Sequence, residues 1–222
     1  DPQGHVAVSL GLEKAPGLYR LLVDEDPAES VMVNAREHLT IIPSDKRTEK
    51  AKRYLISQDY RERTLDYALS PLDAYIDVCL IDLAPSLDVL HVASLVASDW
   101  MVIPTRLDHL AVDGVNEILR TYAELYRLGG GHIEGFSILP TFFDRTTRET
   151  MIQLEALVTA YGDNVLPPIP LDTKSREASA HGQTLLEYAP RSAALTGYPT
   201  NTQRSVGGYI QVLDRLVERL SL

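Results

Sequence analysis

Apolar runs that end in an aspartate or a proline alternate along this chain with segments of helical spacing, and no other feature constrains the fold as much. Tyr75 to Leu83 is nearly continuous apolar sequence, Val78-Cys79-Leu80-Ile81, closed by Asp82. Strands of that kind are expected where helices cover both faces of a parallel sheet. Leu39-Thr40-Ile41-Ile42 stops at Pro43 and Trp100-Met101-Val102-Ile103 stops at Pro104, while Ile133 to Leu139 and Val165 to Ile169 complete the predicted strands. Helices are predicted after Pro16 through Leu22, and over 64–69, 89–98, 112–128, 149–161 and 208–220. In the best formed of them Val115, Ile118, Leu119, Tyr122, Leu125 and Tyr126 share one face, and Gly129-Gly130-Gly131 ends the run. Asp45 to Arg63 reads as a polar connection. Strand–helix alternation of this regularity predicts an α/β fold, a mostly parallel sheet with helices on both faces, as one domain over residues 1–222.

Composition narrows the function classes. A chain of 222 residues can bury a full core, and its formal net charge of −10 argues against general adhesion to nucleic acid while leaving room for a local basic patch. No apolar run approaches the roughly 18 residues of a membrane span. The single cysteine, Cys79, excludes a disulfide scaffold and a cysteine-rich zinc site, and fits a reducing cytoplasm. His5, His91, His109, His132 and His181 are dispersed, without metal-ligand spacing. No Gly-x-Gly-x-x-Gly follows a strand, which removes a Rossmann-type oxidoreductase.

In open α/β sheets the ligand sits beyond the carboxyl ends of the strands. The residues to weigh are therefore Asp1, Ser44, Asp82, Pro104-Thr105-Arg106, Thr141 to Asp144, and Pro170-Leu171-Asp172. Asp82 has the form of a carboxylate that holds Mg²⁺ through water beside nucleotide phosphates. An aspartate at that point equally serves as a helix cap or turn former. Ala84-Pro85-Ser86 suits a loop that changes shape with a γ-phosphate, and equally suits any strand-to-helix turn. Asp1 either polarises a water opposite such a metal or is a boundary residue without a role.

The order and spacing of five segments resemble the ParA/MinD family of deviant-Walker ATPases. They are Asp1-Pro2-Gln3-Gly4, Pro16 to Leu22, Leu80 to Leu87, Ile169 to Ala178, and Tyr188 to Ser192. The resemblance implies a P-loop NTPase-like sheet that binds ATP and Mg²⁺, with Asp1 orienting the hydrolytic water, Asp82 at the metal and Pro85 beside the γ-phosphate. It also implies base contacts at Asp144 and at Pro170 and Asp172. The family's first strand and its Lys-Gly-Gly-x-Gly-Lys-Thr loop precede Asp-Pro-Gln-Gly. The chain is therefore expected to be a fragment that starts downstream of that loop, inactive by itself, with hydrolysis of ATP to ADP and phosphate belonging to the complete protein.

What the family acts on leaves three readings. Members that segregate plasmids or chromosomes form ATP-dependent homodimers, hold nonspecific DNA through basic residues, and answer to a ParB-like or cargo adaptor. Lys174, Arg176, Arg191 and Arg204 are the phosphate-contact candidates here, in a cytoplasmic or nucleoid-associated protein. A MinD-like membrane role would need a Lys- and Arg-rich terminal helix. Val212 to Leu220 carries two acids for two arginines and is expected to pack on the sheet, without stable membrane association. The third reading is an interaction protein that kept the fold and lost the nucleotide. The 196–208 segment stands as an insertion relative to the family.

Overall fold

The computed structural model describes residues 3–84, 88–127, 133–199 and 205–222, and these fall into two units. The first comprises residues 1–99, 125–133 and 179–183. In chain order it holds α1 (His5–Ser9), α2 (Gly17–Leu22), α3 (Ala28–Val31), β1 (Val33–Arg36), β2 (Leu39–Ile41), α4 (Thr48–Ile56), α5 (Thr64–Leu69) and α6 (Val89–Val96). Its core gathers Leu21 and Leu22 of α2, Val31 of α3, Leu55 of α4, Leu65 of α5, Leu72 of the Ser70–Ala74 turn, and Ala93 of α6. Polar sequence conceals α4, which needs only Thr48, Ala51 and Leu55 on one face to bury itself. Asp88 starts α6 by accepting from the Leu90 and His91 amides, and its other oxygen meets Lys52 of α4 at 2.8 Å.

Two expectations fail in this unit. Residues 39–44 do not enter a parallel sheet: β2 pairs antiparallel with β1 across the Glu37-His38 turn, where His38 takes φ 58°. Nor does 75–83 form a strand; after a turn at Tyr75 it carries no ladder partner among the described residues. Ile76 and Ile81 pack on the core, whereas Leu80 is 90% exposed and Val78 and Leu83 are also open. Apolar residues on both faces specify a strand only when a neighbour supplies hydrogen bonds.

The second unit comprises residues 100–124, 134–178 and 184–222. It contains β3 (Trp100–Arg106), α7 (Ala111–Arg127), β4 (Gly135–Thr141), α8 (Arg148–Tyr161), α9 (Lys174–Ala180), α10 (Leu185–Tyr188), α11 (Ala193–Thr196), β5 (Tyr198–Pro199), β6 (Ser205–Val206) and α12 (Tyr209–Leu220). β3 and β4 are parallel, in register from Trp100 opposite Gly135 to Arg106 opposite Thr141. Residues 165–170 run parallel along β4, bridging Ile138 to Val165 and Phe143 to Pro170. The predicted 165–169 strand is thus present as two bridges, because Pro167 and Pro168 lack the amide protons of a continuous ladder. Successive residues of β4 face opposite sides. Ile138 packs with Val115 of α7 and Leu157 of α8, and Leu139 with Val212 and Leu216 of α12. Helices therefore cover both faces of these parallel strands, as the alternation predicts. Within the 196–208 segment β5 pairs antiparallel with β6, and α12 packs Val212 inward as expected. Among the described residues no helix is long and apolar enough to cross a membrane.

Candidate functional site

Parallel strands end together, so the carboxyl edge of β3, β4 and 165–170 concentrates the residues that follow them. Phe143 donates its amide to the Ile169 carbonyl at 2.9 Å, and Leu171 donates back to the Phe143 carbonyl at 2.8 Å. These two bonds place Asp144 and the Pro170-Leu171-Asp172 turn side by side. Tyr198 of β5 closes the same edge: its hydroxyl donates to the Phe143 carbonyl at 3.2 Å, and Arg145 lies 4.8 Å over its ring. Partial burial, then the negative charges of Asp144 and Asp172, push the Tyr198 hydroxyl above its ordinary range, with Arg145 acting against them.

Each carboxylate at this edge already organises backbone. Asp144 accepts from the Thr146 hydroxyl at 2.7 Å and from its amide at 2.9 Å, and these bonds hold its carboxyl below the usual range. Asp172 accepts from the Lys174 amide at 2.9 Å and the Ala194 amide at 3.4 Å, tying the starts of α9 and α11 together. Both carboxylates are half-buried, and Leu171, next to Asp172 in sequence, stands 44% exposed.

Two residues named for their place at strand ends form a pair that the sequence patterns do not show. Arg106 ends β3 with its guanidinium 5.2 Å from the ring of Phe142, an exposed non-glycine residue at φ 58°. That left-handed backbone and the cation–π pair both depend on geometry, so no sequence period announces them. The basic candidates behave differently from one another. Lys174 is engaged, 2.7 Å from Glu177, whose carboxylate also accepts from Tyr188 at 3.0 Å. Arg176 and Arg191 are exposed on α9 and on the turn before α11.

In the first unit Asp82 stands exposed after the apolar run 78–81. Among the described residues no group of three metal-ligating side chains assembles. A lone accessible carboxylate fits Mg²⁺, which keeps several waters and takes its other ligands from substrate phosphates. Asp1, Pro85 and Arg204 lie outside the described residues, as does most of the 84–86 turn.

Comparison with known proteins converges on one family. A family model described as an AAA domain matches residues 1–130. The sporulation initiation inhibitor protein Soj of Bacillus subtilis is 30% identical over 203 residues, covering 89% of this chain and 80% of Soj. The chromosome-partitioning ATPase Soj of Treponema pallidum is 28% identical over 200 residues, with 89% and 79% covered. Among solved structures, a cobyrinic acid a,c-diamide synthase from Mycobacterium smegmatis with a bound ATP analogue and magnesium superposes at a TM-score of 0.69, 30% identical, over 82% of this chain and 76% of that one. The fold is that of an α/β P-loop NTPase. With more than half its length inside the family model and a Soj relative matched across most of both chains, this chain belongs to the ParA/MinD-type family of partition ATPases.

Proposed function

We propose that the protein is an ATP-driven positioning switch: it binds Mg-ATP, pairs with a second copy, and separates after hydrolysing the nucleotide. The observation that carries this reading is the carboxyl-edge cluster of Asp144, Pro170 and Asp172, held in register by the Phe143–Ile169 and Leu171–Phe143 bonds, in a chain of the partition-ATPase family. Asp144 and the 170–172 turn would meet the base. Asp82 would hold the water shell of the metal, which when bound supplies charge neutralisation at the phosphates. Asp1 would accept a hydrogen bond from the attacking water and aim its oxygen at the γ-phosphorus. That oxygen bonds to phosphorus as the bridging P–O bond breaks toward ADP, and the water's proton ends on the released phosphate. Slow turnover of this kind times an association, and the cargo is DNA or another large body in the cytoplasm, recruited through an adaptor protein.

The test uses the full-length protein. Phosphate release and light scattering with Mg-ATP should show hydrolysis and a doubling of mass, both reduced at least tenfold by Asp82→Ala. Wild-type protein that neither hydrolyses ATP nor changes mass would replace the switch with a nucleotide-free interaction protein.

A further inference from the structure

The densest run of positive charge on this acidic chain lies on α4 and the turn that follows it, and the proposed ATPase cycle makes no use of it. Of the 21 Lys and Arg in the sequence, seven fall within residues 46–63, beside three of the 31 Asp and Glu. α4 turns Thr48, Ala51 and Leu55 into the core of the first unit. Lys50 and Arg53 stand exposed on the opposite face, and Lys46 joins them from the turn just before. At helical spacing the three share one side over roughly 10 Å of axis. None of them forms an ion pair among the described residues. The one acid of the helix does not interrupt them: Glu49 is drawn to Lys52 at 3.0 Å, and Lys52 reaches on to Asp88 at 2.8 Å. An ordinary solvated helix face alternates its signs, and this one does not.

Aromatic rings are set among these cations. Tyr60 is 77% exposed and takes φ 56°, a left-handed backbone that a tyrosine enters only at a cost. Arg61, next in sequence, donates to the Ile56 carbonyl at 3.2 Å. Tyr67 of α5 is 63% exposed, with the Arg63 guanidinium 5.6 Å from its ring centre. Phosphates need cations, and unpaired bases need flat rings to stack on; a cationic track with open aromatic rings supplies both. An acidic peptide would use the cations and leave the rings idle. A lipid surface would need an apolar helix face to insert, and α4 has buried its own.

We propose that the exposed face of α4, with Tyr60 and Tyr67, binds single-stranded nucleic acid: Lys46, Lys50 and Arg53 meet phosphates, while the two tyrosines stack bases. The surface shares no residue with the Arg176 and Arg191 candidates, and it stands whether or not the protein hydrolyses ATP. A duplex keeps its bases paired and stacked on one another, so it gains only charge here.

The test is fluorescence anisotropy of a labelled oligo-dT with the full-length protein across a salt series. Three phosphate contacts on a single strand give log K against log salt a slope of roughly −2, and Lys50→Ala or Arg53→Ala should each bring it to roughly −1.4. Tyr60→Asn, whose new side chain tolerates the left-handed backbone, should weaken binding about five- to a hundredfold without moving the slope. The same strand annealed to its complement should not respond to Tyr60→Asn, and Arg176→Ala should leave the single-strand slope unchanged. Oligo-dT that fails to bind, or binds with no response to Tyr60→Asn, overturns the proposal. So does polyglutamate that displaces the strand as well as unlabelled oligo-dT does, which makes the face a dock for acidic protein. Capture by phosphatidylserine vesicles in place of the strand overturns it in favour of a membrane contact. A protein without ATPase activity that still shows the tyrosine effect fails the switch and keeps this surface.

Discussion

Ser137 shows how one buried hydroxyl can join three elements. It sits at the middle of β4 with no exposure, accepting from the Trp100 indole nitrogen at 3.0 Å and from Arg219 Nη1 at 2.6 Å. Arg219 also donates to the Asp163 carbonyl and lies 5.8 Å over the Trp100 ring. The last turn of α12 is thereby fastened to β3, β4 and the end of α8. Ser137→Ala removes the acceptor shared by two part-buried donors. The cost should be about 1–2 kcal/mol, the net worth of two ordinary hydrogen bonds. Equilibrium urea unfolding checks this; a loss below about 0.5 kcal/mol would show that water restores both bonds. Arg219 is invisible to a reading of sequence, which sees only an arginine balanced by acids on an amphipathic helix.

At the scale of elements, α9 is governed by charge at its first turn. The Lys174 ammonium and the Tyr188 hydroxyl hold the Glu177 carboxyl below its ordinary 4.5, and Glu177 in turn holds Lys174 above its ordinary 10.5. A depressed carboxyl contributes stability that is present above its unfolded value and lost as pH falls through the folded one. A raised amine contributes stability that is present below its unfolded value and lost as pH rises through the folded one. The α9 turn is therefore fully supported between about pH 4.5 and 10.5 and weakens outside that window. Carboxyl-carbon NMR titration should place the Glu177 midpoint under 4.5, and Lys174→Gln should raise it. A wild-type midpoint at the ordinary value would mean the ion pair is absent in solution. Elements differed in how far sequence revealed them. α7, predicted at 112–128, is observed at 111–127 because its apolar stripe is a property of the helix itself. The 75–83 run misleads because a strand is a property of a pair. α4 was hidden by lysines and arginines around three buried positions. The β1–β2 hairpin turns through Glu-His in place of the Asn-Gly or Asp-Gly that would signal it. Positions followed the same division. Asp144 and Pro170 were legible as strand ends, whereas the Arg106–Phe142 pairing exists only once distant segments meet.

The whole molecule carries a net charge of −10, so any grip on DNA must come from a local patch outweighing long-range repulsion. Salt decides which term governs: at 0.15 M the Debye length is about 8 Å, short enough to screen most of the acidic surface and leave direct phosphate contacts in control. Lys174 adds little to that patch, because its charge is met by Glu177 at 2.7 Å. Of the other basic candidates in the described residues, Arg176 and Arg191 are exposed, and these two are the contacts counted. Two such contacts from each of two paired protomers give four neutralised phosphates, and log K should then fall with log salt at a slope of roughly −3.6. Arg176→Ala or Arg191→Ala should each bring the slope to roughly −1.8, equally for unrelated duplex sequences, since phosphate contacts carry no base information. Lys174→Ala should leave the slope within about half a unit of wild type. The measurement is fluorescence anisotropy of a nonspecific duplex with full-length protein across a salt series, with ATP and with ADP. A slope that ignores both arginines, or binding equal in the two nucleotides, would place the cargo contact elsewhere and turn the switch toward a protein cargo. The arginines flank Asp172, the residue that joins α9 to α11. Under the proposed function, with the base against Asp172, a change there would reach both proposed phosphate contacts through one carboxylate.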